Sequence, residues 1–502
     1  MVHLKTIRHL LFFATVILCS CSQEEALLVS DNQIETPKDA VGVTFRLQSN
    51  QTSTMTRGVE DSYVHVQGSA DEYKVNVARV YLFDAPTKLF AKSFLLTNLK
   101  QQGSDADGNV IYESESVMVP QGTYDIFVVA NTTRLINQEN ENDFLADIDN
   151  ISYAKGQIDD ISAGIVMTNR ATANLSTSIV NNEENPENVV KIELERVLAR
   201  IDVAVGSDAF ALTTKGGAQY ATIKLDGFYV VNYPTYYYSY RHTAVLTTLT
   251  EPEWSLSSNF GNVSEVNGYV IDPYFFKKKI DASKFTNTDK YYVNFFGDVS
   301  NPNAIEWKTF NPAATTPVYK TTYCLENCML APAQKNGYST GVIFRAKVEP
   351  YNNVYRLSNS GSLELVTDKK QYPEVLYYFD YKFFASPEAL SKYINDLSSV
   401  PSDQLSFEAR KFEKTDDGYR CYYNYWIRHL DNNKPTVMGV MEFAIVRNNL
   451  YRILVANVSD IGTPDTGKIP VDPDTPDEGE AYLKVVINVK PWIVRDQTEV
   501  VL

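Results

Sequence analysis

Thr123-Tyr-Asp-Ile-Phe-Val-Val-Ala130 is a run of β-branched and aromatic residues with no helix former in its interior. Three further runs share its character: Val75-Asn-Val-Ala-Arg-Val-Tyr-Leu-Phe83, Gly341-Val-Ile-Phe-Arg-Ala-Lys-Val348 and Leu450-Tyr-Arg-Ile-Leu-Val-Ala456. Apolar side chains at every second position put one face of a strand in a core and leave the other to water. The segments between them are rich in Asn, Asp, Gly, Ser and Pro, so they read as loops. One helix is expected, with Ser386 as N-cap and Pro387 in its first turn, leading into 388–397. Many short strands with turn punctuation predict an all-β chain of sandwich type.

Working outward from these strands, the two ends carry a matched pair of segments. Near the N-terminus, Val41-Gly-Val-Thr-Phe-Arg-Leu47 places Val41, Val43, Phe45 and Leu47 on one face. Near the C-terminus, Tyr482-Leu-Lys-Val-Val-Ile-Asn-Val-Lys-Pro-Trp492 places Leu483, Val485, Ile487 and Val489 on one face. Either could fill the same groove in a sheet. The second follows a Pro/Asp-rich linker at 462–480, whose composition favours an extended chain. Pro491 removes a backbone donor and favours an edge or a bend. The plain alternative is a last strand that folds back into its own sheet. The first segment is followed by the polar stretch 48–62, which contains Arg57-Gly58.

The extreme N-terminus reads as an export signal. His3, Lys5, Arg8 and His9 precede the apolar run Leu10–Leu18, which is too short to span a bilayer. Leu18-Cys-Ser-Cys21 resembles a bacterial lipobox, with Cys21 as the lipidated residue. The acidic Ser22-Gln-Glu-Glu25 resembles the surface-export patch of Bacteroidetes lipoproteins. A formal charge of −16 argues against a nucleic-acid partner, which needs a basic face. Cys324, Cys328 and Cys421 are too few for a disulfide framework, and Cys324 and Cys328 read as two half-buried strand or turn cysteines. The five His are scattered, and no phosphate loop, nucleophile elbow or metal-ligand spacing occurs. No catalytic residue, metal or cofactor is therefore expected. Tyr233-Pro-Thr-Tyr-Tyr-Tyr-Ser-Tyr240 fits core or interface packing, or an aromatic sugar platform.

These pieces suggest a mechanism. Cutting after Arg57 severs the lipid tether and the strand at 41–47 from the body. The open groove then accepts the C-terminal strand of another copy by β-strand addition. Burying four Val, Leu or Ile side chains contributes roughly 6–12 kcal/mol gross, before association and ordering costs. A head-to-tail contact that does not close builds a filament.

In order along the whole chain, several stretches resemble the major subunit of Bacteroidales type V fimbriae, the short-fimbria stalk family related to the long-fimbria fimbrilins. They are the lipobox, the strand and Arg-Gly at 41–58, Val119-Pro-Gln-Gly-Thr-Tyr-Asp-Ile-Phe-Val-Val-Ala-Asn131, Glu195-Arg-Val-Leu-Ala-Arg-Ile-Asp202, Arg447-Asn-Asn-Leu-Tyr-Arg452 and Val489-Lys-Pro-Trp-Ile-Val494. The resemblance implies two transthyretin-like β-sandwich domains with a tethered donor strand. It implies lipoprotein export, cleavage by an Arg-specific protease and polymerisation with itself and with anchor and tip subunits. The expected divisions are a signal peptide (1–20), a lipidated propeptide with a removable strand (21–57), sandwiches at 58–194 and 195–461, the linker at 462–480 and a donor arm at 481–502 that includes Trp492. The expected product is a stalk subunit of an adhesive surface fimbrium, membrane-bound only through a temporary lipid and open to host surface ligands. A surface glycan-binding lipoprotein or a tip or accessory adhesin is the alternative.

Overall fold

The computed structural model describes residues 39–49, 68–104, 109–136, 139–150, 160–169, 176–181, 188–246, 268–275, 317–329, 338–397, 409–415, 418–429, 441–465, 483–491 and 495–496, with a few shorter pieces between them. The chain is nearly all β, as the alternating runs require.

The first sheet collects the described strands up to residue 196 except Ile148–Asn150, which pairs with Tyr236–Tyr238. Its main members are β1 (Ala40–Ser49), β2 (Ala78–Asp84), β3 (Val110–Glu113), β4 (Val117–Pro120), β5 (Gly122–Ala130) and β6 (Asn188–Arg196). Strand β1 lies inside this sheet. It pairs parallel with β6 from Val43↔Asn188 to Ser49↔Leu194, and antiparallel with β3 and β4 on its other side. The sheet curls, so that Val43, Phe45 and Leu47 of β1 share one core with Val80 and Leu82 of β2, Ile126 and Val128 of β5, and Ile192 and Leu194 of β6.

Two further sheets follow. In the five-stranded one, β7 (Ala199–Val205) runs between β9 (Lys320–Cys324) and β12 (Asn449–Val458), and β13 (Leu483–Pro491) lies against β12. In the larger one, β8 (Gln219–Val231), β10 (Gly341–Pro350) and β11 (Gly418–Trp426) pair in succession. The two sheets share a core that includes Ile201, Val203, Ile223, Phe228, Phe344, Tyr423, Ile453 and Val455.

Helices are few and short. Ser386 caps α3 (Pro387–Asp396) as expected, its hydroxyl accepting from the Ala389 N–H at 3.2 Å. Two shorter helices, α1 (Ala70–Tyr73) and α2 (Glu141–Leu145), lack the length that periodicity needs to reveal them. Among the described residues, no helix is long and apolar enough to cross a membrane.

One local expectation is corrected, and one open choice is decided for core packing. Cys324 and Cys328 are fully buried free thiols, not half-buried ones, and Cys421 is a fully buried free thiol as well. Burial pushes the Cys421 thiol up to about 12, which leaves it unreactive. The tyrosine run packs inward. Tyr233 and Tyr240 are fully buried, and the Tyr240 ring meets Phe127 and Phe144 of the first sheet's outer cluster at 5.4 and 5.2 Å. A sugar platform needs exposed rings, which these two do not offer.

Phe45 tests how much the first core depends on β1. In the uncleaved chain, Phe45→Ala should lower unfolding free energy by about 3–5 kcal/mol in urea denaturation, and Arg46→Ala on the opposite face by less than about 1 kcal/mol.

Candidate assembly site

Strand β1 alternates as its sequence requires, with Val43, Phe45 and Leu47 fully buried and Val41 half-buried against the same core. Its backbone is held on both flanks. Ser114, in the link between β3 and β4, completes the flank at Phe45. The Phe45 N–H donates to the Ser114 hydroxyl at 3.0 Å, and the Ser114 N–H donates to the Phe45 carbonyl at 2.9 Å. On the opposite face, Arg46 donates twice to the Glu113 carboxylate, at 2.7 and 3.1 Å. Withdrawing β1 would leave a slot with unpaired N–H and C=O groups on two walls and an apolar floor.

The chain downstream of this slot is fastened separately. Glu72 of α1 accepts from Arg200 Nη1 at 3.0 Å and from the Tyr323 hydroxyl at 2.6 Å. Arg196 Nε donates to the Glu72 carbonyl at 2.7 Å, and its guanidinium lies 4.8 Å from the Tyr73 ring. Arg200 also donates to both Asp202 oxygens, at 2.8 and 3.0 Å. Burial works to lower the Arg200 guanidinium, but Asp202 and Glu72 together hold it above its ordinary value. A second buried pair, Arg447 with Glu326 at 2.7 Å, lies at the start of β12. The Glu72–Arg200 ion pair and the Glu72–Tyr323 hydrogen bond tie α1 to β7 and β9, so α1 has a fastening of its own that does not run through β1.

His242 belongs to the same junction. One ring nitrogen meets the Leu145 carbonyl at 2.6 Å, and the ring stacks on Tyr238 at 3.7 Å. Burial pushes its imidazolium down to about 4.

At the other end, residues 459–465 are stapled to the larger sheet. Tyr422 and Thr463 exchange backbone hydrogen bonds at 2.8 and 2.9 Å. The Asp460 carboxylate accepts from the Tyr220 hydroxyl at 2.9 Å and from Arg410 at 3.0 Å, and Arg410 also donates to the Ile461 carbonyl. A Cβ on Gly462 would lie 2.3 Å from the Tyr422 carbonyl oxygen, so only glycine fits this approach. This clamp takes in the first residues of the expected 462–480 linker and is the last described contact before residue 466.

Strand β13 then pairs antiparallel with β12, from Val458↔Leu483 to Asn449↔Pro491. This is the fold-back arrangement, with a short Arg495–Asp496 strand on the outer side of β13. The backbones of Leu483, Val485, Ile487 and Val489 lie in that ladder. Cys21, Arg57, Gly58 and Trp492 lie outside the described residues.

Sequence reading missed Glu72 and Asp460. Both act through partners distant in the chain, which no local spacing signals. It did single out 195–202, 131 and 447–452. Asn131 and Asn448 adopt left-handed backbone (φ 61° and 60°), and Arg196, Arg200 and Asp202 lie in the buried network. Among the described residues, no group of three or more His, Cys, Asp or Glu could hold a metal.

Residues 43–196 match a family model described as the major fimbrial subunit protein (FimA). Residues 417–498 match one described as the C-terminal part of fimbrillin, the type IV major fimbrial subunit protein. The chain belongs to the fimbrial subunit family. The first match runs from β1 to the last residue of β6. The second spans β11, β12 and β13. No curated protein matches the chain. Among solved structures, the fimbrilin FimA of Porphyromonas gingivalis W83 is 15% identical, with TM-score 0.40, over 92% of this chain and 99% of its own. The tip fimbrial protein Mfa3 of Porphyromonas gingivalis is 12% identical, with TM-score 0.37, over 89% of this chain and 99% of its own. The anchor protein Mfa2 of that species is 12% identical, with TM-score 0.24, over 61% of this chain and 77% of its own. These families are of structural fimbrial subunits, and they imply a cell-surface fimbrium.

The clamp and the buried imidazole each carry an expected outcome. Gly462→Ala should destabilise the fimbrial subunit by about 1–3 kcal/mol in thermal or urea unfolding and loosen 459–465 to limited proteolysis. His242 is more acidic folded than at its ordinary 6.5, so the stability its neutral ring contributes is complete above that pH and is lost as pH falls toward 4. Unfolding free energy measured across this range should fall, and His242→Gln, which keeps a donor for Leu145, should flatten that slope.

Proposed function

We propose that this subunit is the stalk component of a surface fimbrium, exported as a lipoprotein through Cys21, cut after Arg57, and polymerised by exchange of its C-terminal strand into the β1 slot of the next copy. In this reading 58–194 and 195–461 form two transthyretin-like sandwiches, and anchor and tip subunits are its partners at the filament ends. The observation that carries the reading is the position of β1. It is an interior strand, paired on both sides, yet it joins the body only through 50–67, which contains Arg57.

The energetics favour transfer. In its own chain β13 has the long β12 ladder on one side and only two paired residues on the other. In the slot, a strand has β6 on one side and both β3 and β4 on the other. Each added ladder bond contributes about 0.5–1.5 kcal/mol net. The slot also offers the buried floor vacated by Val43, Phe45 and Leu47.

One observation favours a second reading. If β13 stays on β12, the subunit accepts a strand and donates none, as a terminal tip or accessory subunit would.

Purified subunit treated with an Arg-specific protease should give a ladder of heat-labile oligomers on SDS gels. Arg57→Ala should abolish that ladder. A chain lacking 482–502 should be cut but remain monomeric; a normal ladder from it would overturn the stalk assignment.

A further inference from the structure

Resting on this exchange reading, we infer that the incoming strand enters the slot parallel to β6, with Leu483, Val485, Ile487 and Val489 replacing Val41, Val43, Phe45 and Leu47, and Lys490 facing Glu193. The partner is a second copy of this chain, and the outward face of the slot sets its register.

Three features of the slot select this alignment. The first is the outward row of β6. Opposite Thr44, Arg46 and Gln48 of β1 stand Val189, Lys191 and Glu193. Val189 is 37% exposed, an apolar side chain on an otherwise polar row. The inferred alignment sets Val486 opposite Val189, Asn488 opposite Lys191 and Glu113, and Lys490 opposite Glu193. Directly opposed apolar and opposite-charge pairs stabilise a ladder, and like charges oppose it. Sliding the strand two residues toward the C-terminal end of β1 sets Lys484 against Val189 and Val486 against Lys191. Reversing residues 483–489 over 41–47 sets Lys484 against Lys191.

The second feature is Pro491. It falls at the position of Ser49, the last pair of both the β6 and β3 ladders. A slide the other way would bring this donorless residue to the Leu47 position, inside both ladders. The third is the floor. Phe45 leaves the largest space, and the inferred alignment fills it with Ile487, which is bulkier than Val485 and Val489 on either side of it. At the Gly42 position the incoming Lys484 meets the Ser116 hydroxyl, 2.7 Å from an ideal Cβ. Ser116 is exposed, so that hydroxyl can rotate aside.

The test is disulfide trapping between two purified chains, Glu193→Cys and Lys490→Cys, mixed during proteolytic assembly. A boiling-resistant dimer that a reductant dissolves is expected from the mixture and from neither chain alone. Mixing Glu193→Cys with Lys484→Cys should give none. Charge reversal adds a second readout. Glu193→Lys should slow ladder formation about 2–5-fold, and a Lys490→Glu donor should restore it. A normal heat-labile ladder without the 193–490 crosslink, or with the 193–484 crosslink instead, would overturn the register and leave strand exchange intact. No ladder from unaltered chains would overturn the exchange reading and the register with it.

Discussion

The fimbrial subunit depends on one constraint: its first strand is interior. Strand β1 has hydrogen-bonding partners along both edges, and its buried face is part of the core that β2, β5 and β6 share. An interior strand cannot leave without opening two rows of backbone groups and an apolar floor. The open state is therefore a demand for a replacement strand. A filament of such subunits would draw its strength from the same contacts that complete the single chain.

The rest of the molecule separates what can change from what stays fixed. The ion pairs around Glu72, Arg196 and Arg200 tie the segment after 50–67 to β7 and β9. The clamp at 459–465 ties the chain before the linker to the larger sheet. In the proposed exchange, the strand would move between these two fixed points, and the linker would span from one copy to the next. Buried ion pairs are weak contributors to net stability, but losing one partner leaves an uncompensated charge, so they hold geometry firmly.

Much of this was legible in the sequence, and for identifiable reasons. Period-two alternation found β1, β10 and β12, because half-buried strands must alternate, whereas β5, buried on both faces from Tyr124 to Ala130, was legible only through its β-branched and aromatic content. The Ser-Pro pair found α3, because capping is local chemistry. Alternation could not place β1 inside the sheet or pair β13 with β12, because a strand's partners are non-local. Nor could it expose Glu72, Tyr323 and Asp460, whose partners lie far away in the chain. The tyrosine run looked ambiguous because aromatic spacing is the same for a core and for a platform. The packing of Tyr240 against Phe127 and Phe144 resolved it.

Amide hydrogen exchange of β6 in assembled filaments tests the account most directly. The account predicts that peptides covering 188–194 stay as protected in the filament as in the uncleaved subunit, while the peptide covering 40–49 is missing from the washed polymer. Persistence of that peptide, or rapid exchange across 188–194 after its loss, would contradict it.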